Sequence, residues 1–216
     1  MSEADDLMTW YKNHVEDYEA VKERLFSARQ TLLYGSIKHT AENLRLSYLN
    51  AVFSIQTGKD RHERAFTAYV RGFGIEEAAG MTVYPNQKTQ WINRTMEKTD
   101  WDSIARDVRR YVDTDNIEAL ISMQSDLTGV SYTKWSFTLA MCGVWEVACF
   151  DSNVRQFFEL EGRFRGSAAD YLELIDMLQD ETDISAEPFI IQWAIYDYQR
   201  GEHARHMPFF RNIALQ

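Results

Sequence analysis

The chain has 216 residues, 45% hydrophobic and 26% charged, with a net charge of −10. A chain of this size can bury about 70% of its extended surface without covalent staples. The composition therefore excludes a disordered, fibrous or disulfide-framed protein. It has two cysteines, Cys142 and Cys149, no apolar run approaching the roughly 20 residues of a membrane span, and an acidic N-terminus without a secretory core segment. An intracellular, reduced protein is the expectation.

Helical periodicity runs through almost every segment, and no segment sustains strand alternation. A first helix is expected over 5–29, with Trp10, Tyr18, Val21 and Leu25 on its apolar stripe. Thr40 is placed to cap a second helix reaching about Gln56, and Gly58 to break it. Asp60 would cap a third, ending at Gly72-Phe73-Gly74. Pro85 suits the first turn of the next helix, through Trp91, Ile92 and Met96. Asp100 would cap 101–112 and Asp115 would cap 116–125. The most apolar helix is expected from Ser131 to about Trp145, followed by helices over 152–160, 168–179 and 188–199. About ten helices joined by short connections describe a compact all-α fold over 1–216, read as a single domain; two lobes with a groove between them fit the same pattern.

The acidic total argues against a nucleic-acid partner, but charge is unevenly spread. Residues 31–110 are net basic, whereas much of the acid lies between Glu159 and Glu187. A locally basic face can bind DNA with the acids turned away.

The segment from Leu127 to Gly143, followed by Val147 to Arg155, carries the chemistry. It reads as helix, tight glycine turn, helix, then an aspartate opening a further helix. Gly129 permits a backbone conformation that other residues resist. The free N–H groups at the start of the next helix form an anion site that needs no lysine. Asp151 follows the apolar run Val147-Ala148-Cys149-Phe150 and belongs at the rim of the core, as a helix cap or a catalytic carboxylate.

This segment resembles the helix-hairpin-helix, glycine-rich loop and aspartate signature of the endonuclease III superfamily of DNA glycosylases, with the hairpin at about 117–145. The hairpin leucine and Asp151 stand 24 positions apart, in register with the family. Upstream, Tyr48-Leu-Asn-Ala-Val-Phe-Ser-Ile-Gln-Thr57 resembles the family's helix ending in Leu-Ser-Ala-Gln-Thr. A weaker match lies in Phe189–Tyr198, before Gly201 and His203. Thr128 and Ser131 depart from the family's proline and second glycine. Thr133 stands at the position of the lysine that gives some branches lyase activity, and Lys134 follows it, about 100° further round the helix. Lys134 is therefore a Schiff-base candidate, or a phosphate-contacting or solvated lysine.

The resemblance implies a compact two-lobed all-α DNA-glycosylase fold and a monomer acting on double-stranded DNA with a lesion or mismatch. Asp151 would stabilise the sugar's developing positive charge. Gln56 would fill the space left by a flipped base; its alternative is a helix-end cap. Gly129, Ser131 and Thr133 would hold a backbone phosphate. Lys59, Arg61 and Arg64 would hold the opposite strand, or form an ordinary solvated face. One or two aromatic residues would line the base pocket. The alternatives are a helix-hairpin-helix protein that binds DNA without chemistry, and an unrelated helical protein that mediates protein contacts. No cofactor is expected. Two cysteines cannot supply the four thiolates of the family's iron-sulfur loop, and they are expected as buried thiols. His203 and His206 share a helical spacing but have no evident third ligand, so no metal is expected.

Overall fold

The structure is a computed structural model, described here for residues 3–160 and 167–201. Twelve α-helices and one short 3-10 turn make up these residues, with no strand among them. The helices are α1 (Glu3–Asn13), α2 (Val15–Tyr34), α3 (Ile37–Ser54), α4 (Lys59–Val70), α5 (Ile75–Gly80), α6 (Pro85–Lys98), α7 (Trp101–Asp113), α8 (Ile117–Ser122), α9 (Tyr132–Met141), α10 (Ser152–Phe157), α11 (Ala168–Thr182) and α12 (Pro188–Arg200). The all-α expectation holds. His203 and His206 lie outside the described residues.

The helices form two packed groups. In the first, α3 is the central rod, lying against α4, α6, α7 and α9. Its middle explains why: Tyr48, Leu49, Asn50, Ala51, Val52 and Phe53 are all buried, leaving that stretch no solvent face. In the second group α12 is central, against α1, α2, α10 and α11. Its buried run from Pro188 to Ile195 plays the same part. The chain passes from the first group to the second between α9 and α10, and Asp151 stands at that passage.

Several boundaries differ from the sequence reading. The first helix breaks after Asn13, where the His14 ring donates to the Trp10 carbonyl at 2.8 Å and supplants a helical partner. Thr40 is not the cap of α3. Ser36 is, accepting the His39 N–H at 3.2 Å, while Thr40 is buried a turn inside and donates back to Thr31 and Ser36 carbonyls. Gly58, not Asp60, takes the cap position of α4; Asp60 sits in its first turn, where a carboxylate still favours the helix dipole. Asp115 adopts φ +52 and leaves capping to Asn116, whose Oδ1 accepts the Ala119 N–H at 3.0 Å. The short α5 carries no period long enough to be read from sequence. The segment expected over 116–125 divides into α8 and the 3-10 turn Met123–Asp126. Helix α9 stops at Met141 and not near Trp145, because Gly143 turns the chain at φ +90 against α2; a Cβ there would lie 2.5 Å from the Arg29 Cα. Helix α10 stops at Phe157, short of the expected 160.

Candidate functional site

Three helix ends carry the predicted residues: the C-terminus of α3 with Gln56, the N-terminus of α9 with Ser131, Thr133 and Lys134, and the N-terminus of α10 with Asp151. The hairpin turn joining α8 to α9 is built around Gly129, at φ +81. A Cβ on Gly129 would come within 2.4 Å of Trp91 Cδ2, so glycine is required by both conformation and space. Leu127 and Val130 flank it and are buried, anchoring the turn as their apolar character implied.

The turn is also held from below by residues that sequence reading left as plain helix positions. The Tyr48 hydroxyl lies 2.9 Å from both the Thr128 carbonyl and Thr95 Oγ1. Thr95 Oγ1 in turn accepts the Thr128 N–H at 3.0 Å. Helices α3 and α6 thus fix both backbone groups of Thr128. Burial pushes the Tyr48 phenol up to about 12, so it stays protonated and can keep donating. Only its place in the motif from Tyr48 to Thr57 singled it out; Thr95 carried no signal.

Above the turn, no side chain caps α9. Ser131 is exposed at the cap position, and its carbonyl accepts the Trp135 N–H at 2.8 Å. The first-turn N–H groups of α9 therefore point outward with the positive end of the helix. The Thr133 hydroxyl is not available for a phosphate: it donates to the Phe150 carbonyl at 3.1 Å, tying α9 to the segment that leads into Asp151.

Lys134 is half-buried and turned inward. Its Nζ donates to Ser54 Oγ at 2.8 Å and lies 5.6 Å from the Phe137 ring centroid. Ser54 closes α3, so this bond links the lysine to the helix end that presents Gln56. Lys134 is thus half-buried and bonded and not freely solvated.

Asp151 caps α10. Its Oδ1 accepts N–H bonds from Asn153 at 2.9 Å and Val154 at 3.1 Å, while Oδ2 accepts only the Asn153 side-chain amide at 3.3 Å. The capping reading is therefore correct, but it occupies mainly one oxygen. Burial pushes the carboxyl above its ordinary range; the Val154 and Asn153 bonds and the charge of Lys134 offset this only in part. Tyr171 and Tyr196 also feel the Asp151 charge. Phe150 packs edge-on against Tyr171 at 5.1 Å, and Tyr132 lies 6.2 Å from the same ring. An aromatic wall therefore stands near the carboxylate.

Gln56 is exposed at φ +51, just past the end of α3. Beneath it lies a residue with no sequence signal, Lys88 of α6, which is fully buried. Lys59, Arg61 and Arg64 are exposed on α4, and the Arg64 Nε–H donates to the Asp60 carbonyl at 3.2 Å. Cys142 and Cys149 are buried thiols, both pushed up to about 12 by desolvation. Among the described residues no three metal-ligating side chains cluster, and no helix is long and apolar enough to cross a membrane.

No family model and no curated protein matches the sequence. Among solved structures, the chain is similar to the crystal structure of the 8-oxoguanine DNA glycosylase of Thermotoga maritima, with a TM-score of 0.70 and 16% identity. The match covers 93% of this chain and 99% of that one. The two share a fold across nearly their whole lengths.

Proposed function

We propose that this protein is a DNA glycosylase of base excision repair, hydrolysing the N-glycosidic bond of a damaged or mispaired base after flipping it out of the duplex. The observation that carries the reading is Asp151: a half-buried carboxylate whose Oδ2 has acceptor capacity left over, beside an inward lysine and an uncapped hairpin helix, on a fold shared with a DNA glycosylase.

Each part has a role that its geometry can support. The N–H groups after Gly129 and Ser131, including that of Thr133, bind a backbone phosphate through the positive end of α9. This contact needs no surface lysine, which reconciles DNA binding with a net charge of −10. Lys59, Arg61 and Arg64 attract the duplex from the α4 side. Gln56 enters the space left by the flipped base and hydrogen-bonds the orphaned partner, offsetting part of the few kcal/mol that flipping costs. The extruded base rests against Tyr132, the half-buried member of that aromatic wall.

Asp151 then acts as an anion. As the bond to the base stretches, positive charge develops on the sugar ring, and Oδ2 stabilises it and orients the attacking water. Lys134, after giving up a proton to water, is the amine that attacks the C1′ aldehyde of the ring-opened abasic sugar and forms the Schiff base with loss of one water. Its bond to Ser54 holds it on the inner side of α9, so it serves in place of the family's lysine at Thr133. The chain acts as a monomer.

The test is a panel of duplexes carrying one oxidised, deaminated, alkylated or mismatched base each, 8-oxoguanine first because the structural neighbour is named for it. Release of one base class supports the reading. Tight binding to all duplexes without release would instead support a binding-only protein.

A further inference from the structure

Lys88 is an unusual side chain for a helix in this position. It sits in the middle of its first turns on α6, between exposed Gln87 and half-buried Thr89, yet it is itself fully buried. Its ammonium donates to the Phe53 carbonyl at 3.0 Å, the Ile55 carbonyl at 2.7 Å and Thr57 Oγ1 at 2.7 Å. Three N–H groups meet three acceptors, so the ammonium is fully satisfied. All three acceptors lie within 53–57, on both sides of Gln56. Two of them are carbonyls at the negative end of α3, where a cation is favoured. Thr57 is further tied to the Ile55 carbonyl at 3.1 Å and accepts the Val83 N–H at 3.4 Å. Gln56 itself is held at φ +51, a conformation that a non-glycine residue leaves unless its neighbours are fixed.

We propose that Lys88 is the positioning residue of the base-flipping machinery, clamping the backbone on either side of Gln56 so that this side chain is presented rigidly to the duplex. The inference rests on the glycosylase reading and on the wedge role of Gln56. Burial and the nearby charge of Lys134 push the Lys88 ammonium down to about 8, so a cation is kept here against desolvation. An apolar residue of similar length would fill the space without that cost, but it would leave the Phe53 carbonyl unpaired and the Ile55 carbonyl to Thr57 alone. A lysine is the compact donor that can satisfy three acceptors around one turn.

The test separates positioning from plain stability. Single-turnover base release is measured for wild type, Lys88→Met, Gln56→Ala and the double variant. Two substrates are used: the lesion opposite a normal base, and the same lesion opposite an abasic site, where there is no orphaned base to hold. Lys88→Met is expected to slow release about 10-fold or more on the first substrate, with little change on the second, and to add nothing in the Gln56→Ala background. Thr57→Val, which removes only one of the three acceptors, should show the same pattern more weakly and serves if Lys88→Met folds poorly. Equal losses on both substrates, or losses additive with those of Gln56→Ala, would overturn the assignment. Base release by wild type with no effect of Lys88→Met would overturn it alone. No release by wild type from any duplex would overturn the glycosylase reading, and this inference with it.

Discussion

Asp151→Asn separates the cap of α10 from the catalytic duty proposed for this residue. Asparagine retains Oδ1, which accepts both backbone N–H bonds of the cap, and the Asn153 amide can turn to meet the new Nδ2. Asn and Asp cap equally well, so the loss of stability should stay within about 0.5 kcal/mol. A small gain is the more consistent outcome. The carboxyl is raised in the folded state, so its favourable contribution is present at low pH and lost as pH rises through the raised value. At neutral pH the wild type therefore carries the cost of a buried charge that the variant lacks. Catalysis should move the other way. A full carboxylate charge about 4 Å from a developing cation, at an effective dielectric of about 20, contributes up to about 4 kcal/mol. The amide dipole keeps part of that, leaving a deficit of about 3 kcal/mol, or a 10²-fold or greater fall in single-turnover base release. With Asp151 as the catalytic anion, the acid limb of wild-type release should also lie above the ordinary carboxylate range. Near-normal release by a folded Asp151→Asn protein would refute the catalytic role and leave only the cap.

Other substitutions test the rest of the site. Gly129→Ala combines a strained positive φ with a Cβ 2.4 Å from Trp91, and should cost about 2–3 kcal/mol, seen as a lower Tm, together with weaker DNA binding. Tyr48→Phe removes the hydroxyl beneath Thr128, at a cost of about 1–2 kcal/mol; with the hairpin in its proposed phosphate-binding role, gel-shift titration should show equal weakening on normal and lesion-bearing duplex. For lyase chemistry, borohydride should trap the wild-type protein on abasic DNA, and Lys134→Ala should abolish trapping. Trapping that persists in Lys134→Ala would move the Schiff base elsewhere.

The parts of the site visible in sequence were those whose chemistry is local. Gly129 and its flanking apolar pair mark a tight turn through their own conformational needs. Asp151 follows an apolar run, and its dual character follows from that position. Pro85 and Asp100 mark helix starts for reasons contained within one turn. Caps were misplaced where two candidates stand close together, as with Ser36 and Thr40, because the choice depends on where α2 releases the chain. The residues that could not be read are those whose partners are distant in sequence. Lys88 stands on a helix whose charged and polar residues mostly face water, and nothing nearby tells that it points at carbonyls more than thirty residues upstream. Lys134 has the same character: local spacing put it one step past the family position, and only its bond to Ser54 turns it inward.

On the glycosylase reading proposed above, these distant bonds let an acidic chain carry a DNA-directed site. Beyond Lys59, Arg61 and Arg64 on α4, the basic groups of that site are few and partly internal. Lys88 acts on carbonyls at the end of α3, Lys134 on Ser54 and on the field around Asp151, and the positive end of α9 would take the place of a surface cation at a phosphate. Affinity built this way depends less on counterion release than binding through a lysine-rich surface. A site that neutralises few phosphates should therefore show a shallow salt dependence, and discrimination must come from the flipping step. That places the functional weight on the rigidity of the three helix ends, which is where Tyr48, Thr95, Lys88, Thr133 and Ser54 spend their hydrogen bonds.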